Sequence, residues 1–433
     1  MIRPAVSFCL LVFVVAAQAQ TNAYLDAAKA TGVWLRANAL VTPTGTAWPA
    51  DPRDSKTVSL DLYSGAPGVV LYFLEAAHAT KDASYLKDAR AGADYLAANV
   101  EKVEDTGLYT GLAGVGFVLW ETHKATKDDK YRRAAFRCVQ LLAERAKPVG
   151  AGVEWNGVND IIAGSAGTGL FLLYAAREMR QPALRELAAQ AGRRLLELGK
   201  PENGGTKWAM DKEFPRLMPN FSHGTAGVAY FLATLYRETK EKAFLDAALS
   251  GARYLQSVAA NEGDSCLIFH HEPDGKDLFY LGWCHGPAGT ARLFYRLAQI
   301  TGRREWQEMA LKNAHGIVKS GIPEKQTPGF WNNVSQCCGS AGVADFFLNL
   351  YRLGGQSTHL AFARRMTDDL LGRATREGTG LKWVQAENRR QPDLLVAQTG
   401  YMQGAAGIGI LLFRFDSIEH KRKPLITFPD TPF

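Results

Sequence analysis

Gly282-Trp283-Cys284-His285-Gly286-Pro287-Ala288-Gly289-Thr290-Ala291-Arg292-Leu293-Phe294-Tyr295-Arg296-Leu297-Ala298 holds two messages in one stretch. From Gly286 onward it is a helix start, a Gly-x-x-Gly pair followed at once by an apolar run. Just ahead of it a thiol, Cys284, adjoins an imidazole, His285. The same start occurs seven times, at Gly65/Gly68, Gly111/Gly114, Gly164/Gly167, Gly224/Gly227, Gly286/Gly289, Gly339/Gly342 and Gly404/Gly407. Successive first glycines lie 46 to 65 residues apart. Self-similarity on that scale belongs to repeat architectures.

The runs that follow the glycines (GVVLYFLEAA, GTGLFLLYAA, GIGILLFRF and their kin) are apolar nearly all round, as in a helix packed on both sides. Between them lie amphipathic segments such as KYRRAAFRCVQLLAERA and EWQEMALKNAHGIVKSG, with apolar residues at three- and four-residue steps. Tyr24 to Leu40 supplies one more at the start. The unit is a buried helix, a turn, an amphipathic helix and a return loop. Neither end repeat carries the polar cap that an open solenoid needs. The chain is therefore expected to be all-α: an α/α toroid, or double α/α barrel, of seven helix-pair repeats with every glycine turn at one end.

Two reasons would favour glycine there, close approach of neighbouring backbone and unusual backbone angles. Strand signals are few, near Cys266–His270 and Lys382–Gln385. The return loops of repeats three to seven are long, roughly 15 to 30 residues against an ordinary handful. They carry Trp155, Trp208, Trp283, Trp331 and Trp383, which either plug the barrel mouth or form a substrate-facing aromatic wall.

Composition narrows the field. An apolar fraction of 47% and a charged fraction of 21% are those of a globular protein. The net charge of +7 is spread without any basic block, so nucleic acid is not a partner to expect. Met1-Ile2-Arg3, the apolar run from Ala5 to Ala16 and Ala17-Gln18-Ala19 have the three parts of a secretory signal peptide. Residues 1–19 are expected to be removed after Ala19, leaving one domain over 20–433, exported and without a membrane span, since the run is too short to make one. Without Cys9, five cysteines remain: Cys138, Cys266, Cys284, Cys337 and Cys338. That odd number is no disulfide framework.

The residue ahead of each first glycine is Ser64, Thr110, Ala163, His223, His285, Cys338 and Gln403 in turn. Cys284 precedes His285 and Cys337 precedes Cys338, so turns four to six hold the chemistry. Three thiolates, or two with a histidine, would hold one Zn²⁺ ion with a position left open, and sulfur ligands argue against Mg²⁺ or Ca²⁺. Buried structural cysteines and a vicinal Cys337–Cys338 disulfide are the other readings of the same residues. His223 either caps its helix, supports the ligands or moves a proton.

Seven GxxG turns, with WCHG in the fifth and a CC-G pair in the sixth, resemble the lanthionine synthetase C-like family over essentially the whole chain beyond the leader. The resemblance implies a toroid with one zinc ion at its mouth, held by Cys284, Cys337 and Cys338. Cys338 stands where many members have histidine. It also implies attack of an activated thiolate on dehydroalanine or dehydrobutyrine to form a thioether. His223, in SHGTAG, matches the family's catalytic histidine, and Asp160, in NDIIAGSAG, its aspartate. With Cys338 as third ligand, His285 is left for a supporting or proton-handling role. Some lantibiotic cyclases carry an arginine shortly before the WCxG turn, where this chain has Tyr280. The partner implied is a peptide bearing a dehydroamino acid, or a small thiol, and the protein itself is expected to be a monomer. Two other functions stand beside this one. A carbohydrate-active α/α barrel would need paired carboxylates at the mouth, and a non-catalytic peptide-binding toroid would use zinc structurally.

Overall fold

The computed structural model describes residues 23–212 and 217–433, so the expected leader lies outside the described residues. Fourteen helices run through it. They are α1 (residues 23–37), α2 (Ala66–Thr80), α3 (Ala83–Ala98), α4 (Leu112–Thr126), α5 (Asp129–Glu144), α6 (Ser165–Glu178), α7 (Leu184–Leu198), α8 (Thr225–Thr239), α9 (Lys242–Ser257), α10 (Pro287–Thr301), α11 (Arg304–Lys319), α12 (Ser340–Gly354), α13 (Ser357–Gly372) and α14 (Ala405–Glu419). From α2 on, the even-numbered helices start at the seven glycine turns and form an inner ring. The last of them, α14, packs against the first, α2, and closes it. The odd-numbered helices lie outside. Tyr24 of α1 packs on Phe415 of α14, with ring centroids 4.9 Å apart, and the Tyr72 hydroxyl of α2 donates to the Ala28 carbonyl. The chain's first helix thus fills the outer place beside its last, and the toroid is the expected one.

Of the two reasons for the glycines, the structure supports one. The first glycines have φ between −97° and −154°, extended backbone open to any residue. Space is what excludes a side chain. A Cβ on Gly224 would stand 1.7 Å from the Met218 carbonyl oxygen, and one on Gly289 1.9 Å from that of Trp283.

This crowding lets the turns bond to one another. Backbone N–H groups donate around a full circle: Tyr63 to Tyr109, Tyr109 to Ile162, Ile161 to Ser222, Ser222 to Cys284, Cys284 to Cys337, Cys337 to Met402 and Met402 to Tyr63, at 2.8 to 3.1 Å. The acceptor in each turn lies two residues before its first glycine. The mouth of the barrel is therefore a closed backbone ring that fixes the position of each turn.

Six short antiparallel hairpins complete the described elements: β1 (Leu40–Thr42) with β2 (Gly45–Ala47), β3 (Lys147–Val149) with β4 (Gly152–Glu154), β5 (Lys200–Glu202) with β6 (Gly205–Lys207), β7 (Ala259–Glu262) with β8 (Ser265–Ile268), β9 (Ala374–Glu377) with β10 (Gly380–Trp383), and β11 (Gln385–Ala386) with β12 (Leu395–Val396). The expected strand signals fall on β8 and on β10 and β11; the other hairpins are new. Helix α9 ends at Ser257, and the chain turns directly into β7.

Four hairpins close in the same way. The indole N–H of Trp48, Trp155, Trp208 and Trp383 donates to the carbonyl 13 residues earlier, at Leu35, Leu142, Leu195 and Leu370, over 2.7 to 2.8 Å. Each acceptor lies in the last turns of an outer helix, where carbonyls lack intrahelical partners. Trp155, Trp208 and Trp383 are therefore helix-end fasteners, and Trp283 is buried against Tyr109 and Phe221. Of the five tryptophans considered for an aromatic wall, Trp331 alone lines the mouth pocket.

The inside of the ring is filled by residues 424–433, which follow α14. Phe428 packs on Phe117 and Tyr401, Phe433 on Tyr295 and Phe346, and Glu75 accepts from the backbone of Leu425 and Ile426. Asp430, 1% exposed, receives the Tyr109 hydroxyl at 3.1 Å and Arg292 at 3.4 Å.

Candidate metal centre

Cys284 and Cys337 occupy the same place in turns five and six, two residues before the glycine, and the Cys284 N–H donates to the Cys337 carbonyl. The backbone ring thus sets the two thiols side by side just ahead of α10 and α12, whose N-termini favour negative charge. Cys338 is the next residue along. Its sulfur lies 3.1 Å from that of Cys284 and 3.5 Å from that of Cys337, and all three lie within 4.8 Å of one another. Four ligands at a Zn–S distance of about 2.3 Å stand about 3.8 Å apart in a tetrahedron. The three sulfurs therefore fit one soft ion on both spacing and donor type.

Their charge balance favours a cation as well. Hydrogen bonds from the Cys284 and Cys338 thiols hold Cys337 well below the usual thiol range, with help from the Tyr63 hydroxyl. Burial pushes Cys284 well up, and the bonds given to Cys284 and Cys337 do the same to Cys338. Protein groups alone stabilise one negative charge here, while a dication would stabilise three. No disulfide joins Cys337 to Cys338, and Cys138 and Cys266 are buried free thiols, the latter pushed up to about 11 by burial.

Beside the sulfurs stands the expected pair. Asp160, 1% exposed, accepts at one oxygen from the N–H groups of Ala163 and Gly164, at 2.8 and 2.9 Å, and so caps turn three. Its other oxygen lies 2.6 Å from Nδ1 of His223 on turn four. Burial disfavours a charged His223, but the Asp160 charge and hydrogen bond prevail and raise its pKa above the ordinary value. Nε2 is the nitrogen left to exchange a proton. His285, by contrast, is stacked on His270 with centroids 4.2 Å apart, with Nε2 3.1 Å from Met218 Sδ and Nδ1 without a hydrogen-bond partner among the described residues. Burial, together with His270, His223 and His271, pushes its pKa well down, so it is a neutral imidazole in the pocket wall.

The three cysteines, His223 and His285 line a cavity of about 400 Å³ with residues that sequence reading missed, while Asp160 lies buried behind His223. The Tyr63 hydroxyl, from turn one, lies 3.3 Å from Cys337 Sγ and accepts from Gln403 Nε2 at 2.8 Å. The loop between β11 and β12 contributes Glu387 and Arg389, and the Arg389 guanidinium donates to the Tyr280 hydroxyl at 3.1 Å. Trp331 packs on the Tyr280 ring, 5.1 Å between centroids. A usable signal existed for Tyr63: it holds in turn one the offset that Cys284 and Cys337 hold in theirs. No comparable pattern marks Arg389. Among the described residues lining the cavity, Glu387 is the sole carboxylate, which is not the pair a glycoside hydrolase needs.

Comparison with known proteins bears on the family and the fold. The family model described as lanthionine synthetase C-like protein matches residues 56–429. Among solved structures, nisin cyclase aligns with a TM-score of 0.64 at 16% identity, over 86% of this chain and 91% of that one. An inactive variant of an alpha-1,6-mannanase from Salegentibacter, in complex with alpha-1,6-mannotriose, aligns at 0.50 and 13% identity over 91% and 99%. An unsaturated glucuronyl hydrolase specific for heparin does so at 0.50 and 13% over 95% and 99%. At such identities the structural likenesses speak for the fold alone.

Proposed function

The chain belongs to the lanthionine synthetase C-like family, and from that premise we propose that it is a zinc-dependent enzyme adding a thiol to a dehydroamino acid. The observation that carries this reading is the convergence of Cys284, Cys337 and Cys338 with His223 in one cavity, the histidine backed by buried Asp160. Zinc held by the three cysteines would supply the charge that ionises an incoming thiol near neutral pH. The rest falls to side chains of this chain.

Tyr280 and Trp331 form an apolar wall against which dehydroalanine or dehydrobutyrine can lie, shielding the reacting carbons from water. The substrate sulfur forms its bond to the β-carbon, and the π pair of the alkene moves onto the α-carbon and its carbonyl. His223, kept as imidazolium by Asp160, delivers a proton to the α-carbon from Nε2. The proton lost by the thiol restores it, so the cycle is balanced. Asp160 fixes the ring through Nδ1. The substrate is read as a peptide bearing the alkene, with the thiol from its own cysteine or from a small molecule.

Metal content and product formation test this together. The wild-type protein should hold one zinc per chain and convert a dehydroalanine peptide with a free cysteine to the thioether. Cys284→Ala and Cys337→Ala should each lose most of the metal. Full metal retention in both variants would overturn the site. Bound zinc with no thioether from any such peptide or small thiol would favour a non-catalytic peptide-binding toroid.

A further inference from the structure

The three sulfurs are alike in chemistry but not in surroundings. Among the described residues, one of them is met by a side-chain donor other than a thiol: the Tyr63 hydroxyl at Cys337 Sγ, 3.3 Å away. That hydroxyl accepts from Gln403 Nε2 at 2.8 Å, and Gln403 Oε1 accepts from Asn333 Nδ2 at 3.3 Å. Asn333 and Gln403 are both buried. Turns one, six and seven thus align a chain of donors, Asn333 to Gln403 to Tyr63, all directed at one sulfur. Hydrogen bonds in series polarise one another, so the last is stronger than a lone hydroxyl would give. The sulfurs of Cys284 and Cys338 face each other instead.

This asymmetry answers a problem set by the proposed reaction. An electrophilic alkene entering the cavity meets the substrate sulfur and also the sulfurs of the protein, and attack by a cysteine would form a dead adduct. Nucleophilicity of a thiolate falls with its basicity, and a hydrogen bond given to it lowers both. We propose that Tyr63, held by Gln403 and Asn333, is a positioning residue that keeps Cys337 a spectator when the alkene enters. The inference rests on the thiol-addition reading.

The test follows adducts on the protein's own cysteines. Zinc-loaded wild type, Tyr63→Phe and Gln403→Ala are treated with N-ethylmaleimide without thiol substrate, and modified cysteines are mapped by mass spectrometry over time. In each adduct a sulfur–carbon bond forms, the maleimide π pair moves to an enolate, and water returns the proton. Cys337 should be modified about three- to tenfold faster in Tyr63→Phe, from the strength of a bond to a charged acceptor and the usual dependence of thiolate attack on basicity. In Gln403→Ala, which keeps the hydroxyl but removes its polarising donor, the gain should be about twofold on the same grounds. With Co²⁺ in place of zinc, the sulfur-to-metal charge-transfer band of Tyr63→Phe should move to lower energy, a shift that loss of packing alone would not cause. Equal Cys337 rates in all three proteins overturn the proposal. If Tyr63→Phe sheds its metal, an unchanged rate in Gln403→Ala overturns it. Zinc content is measured first: wild type without zinc removes the thiol-addition reading and this inference with it, whereas zinc with equal rates removes this inference alone.

Discussion

Turns one and three carry an aspartate at the same offset, Asp61 four residues before Gly65 and Asp160 four before Gly164, and use it differently. Asp61 spends both oxygens on its own turn: Oδ1 accepts from the Ser64 N–H at 2.6 Å, and Oδ2 from the hydroxyls of Ser59 and Ser64. Asp160 caps its turn with one oxygen and gives the other to His223. What separates them is the next turn in the ring. Turn two places Thr110 before its glycine, and turn four places His223 there. The cap is a duty of the repeat, and chemistry is added by what the neighbour presents. Capping and proton handling are therefore compatible roles for Asp160, one oxygen each.

The sharpest way to break that comparison is to remove both carboxylates. Asp61→Ala and Asp160→Ala should each cost about 1 kcal/mol of stability through the lost cap. Their activities should part company. With metal content intact, Asp160→Ala should lower kcat by roughly 10²-fold or more, the scale of a misplaced acid–base group. Asp61→Ala should stay within about threefold, as a change remote from the reacting atoms does. Equal losses of activity in denaturation-matched conditions would mean that Asp160 does no more than cap.

A change of pH sharpens the same contrast at smaller amplitude. His223 has a raised pKa, so its imidazolium survives above the ordinary histidine range, and activity that needs it falls as pH rises through the raised value. Asp160→Asn keeps the hydrogen-bond geometry but deletes the charge, leaving burial to dominate. The alkaline limb of kcat should then move to lower pH. Asp61→Asn should leave the limb where it is. A limb that does not move in Asp160→Asn would show that another group donates the proton.

The features legible in sequence are those that repeat locally. The glycine pairs, the all-round apolar runs and the three cysteines sit within a few residues of a recurring mark, and ring closure brings those marks together. His223 was legible by the same logic, one residue before its glycine, whereas Asp160 was reached through the family resemblance. Tyr63 and Cys337 are 274 residues apart and Gln403 and Tyr63 340, and although Tyr63 shares the offset of Cys284 and Cys337, no local pattern announces that its hydroxyl reaches from turn one past turn seven to a sulfur of turn six. The hairpins escaped for another reason: strands of three residues such as Lys200–Glu202 are too short and polar to alternate visibly. Their signal lay in the turn, where Asn203 and Gly204 both have positive φ, and in the tryptophan after it. Residues 424–433 show neither helical nor strand period, and their prolines read as loop, yet they fill the ring because Phe428 meets the rings of Phe117 and Tyr401 and Asp430 meets Tyr109 and Arg292.

The smallest expected effect sets Trp155 against Trp331, another pair of like residues with unlike work. Trp155 is buried and its indole donates to Leu142 at the end of α5, whereas Trp331 is half-buried, donates to Ala386 and lies against Tyr280 in the cavity. Trp155→Phe keeps an aromatic ring but strands the Leu142 carbonyl and leaves a small void, which should cost about 1–2 kcal/mol in denaturant unfolding. Its kcat and KM should be those of wild type, because the hairpin it fastens does not reach the cavity. Trp331→Phe should do the reverse, altering KM by a few-fold while stability changes by less than about 0.5 kcal/mol, as at a partly exposed position. If Trp155→Phe changed KM as much as Trp331→Phe, the division between a fastened outer layer and a reactive mouth would be wrong.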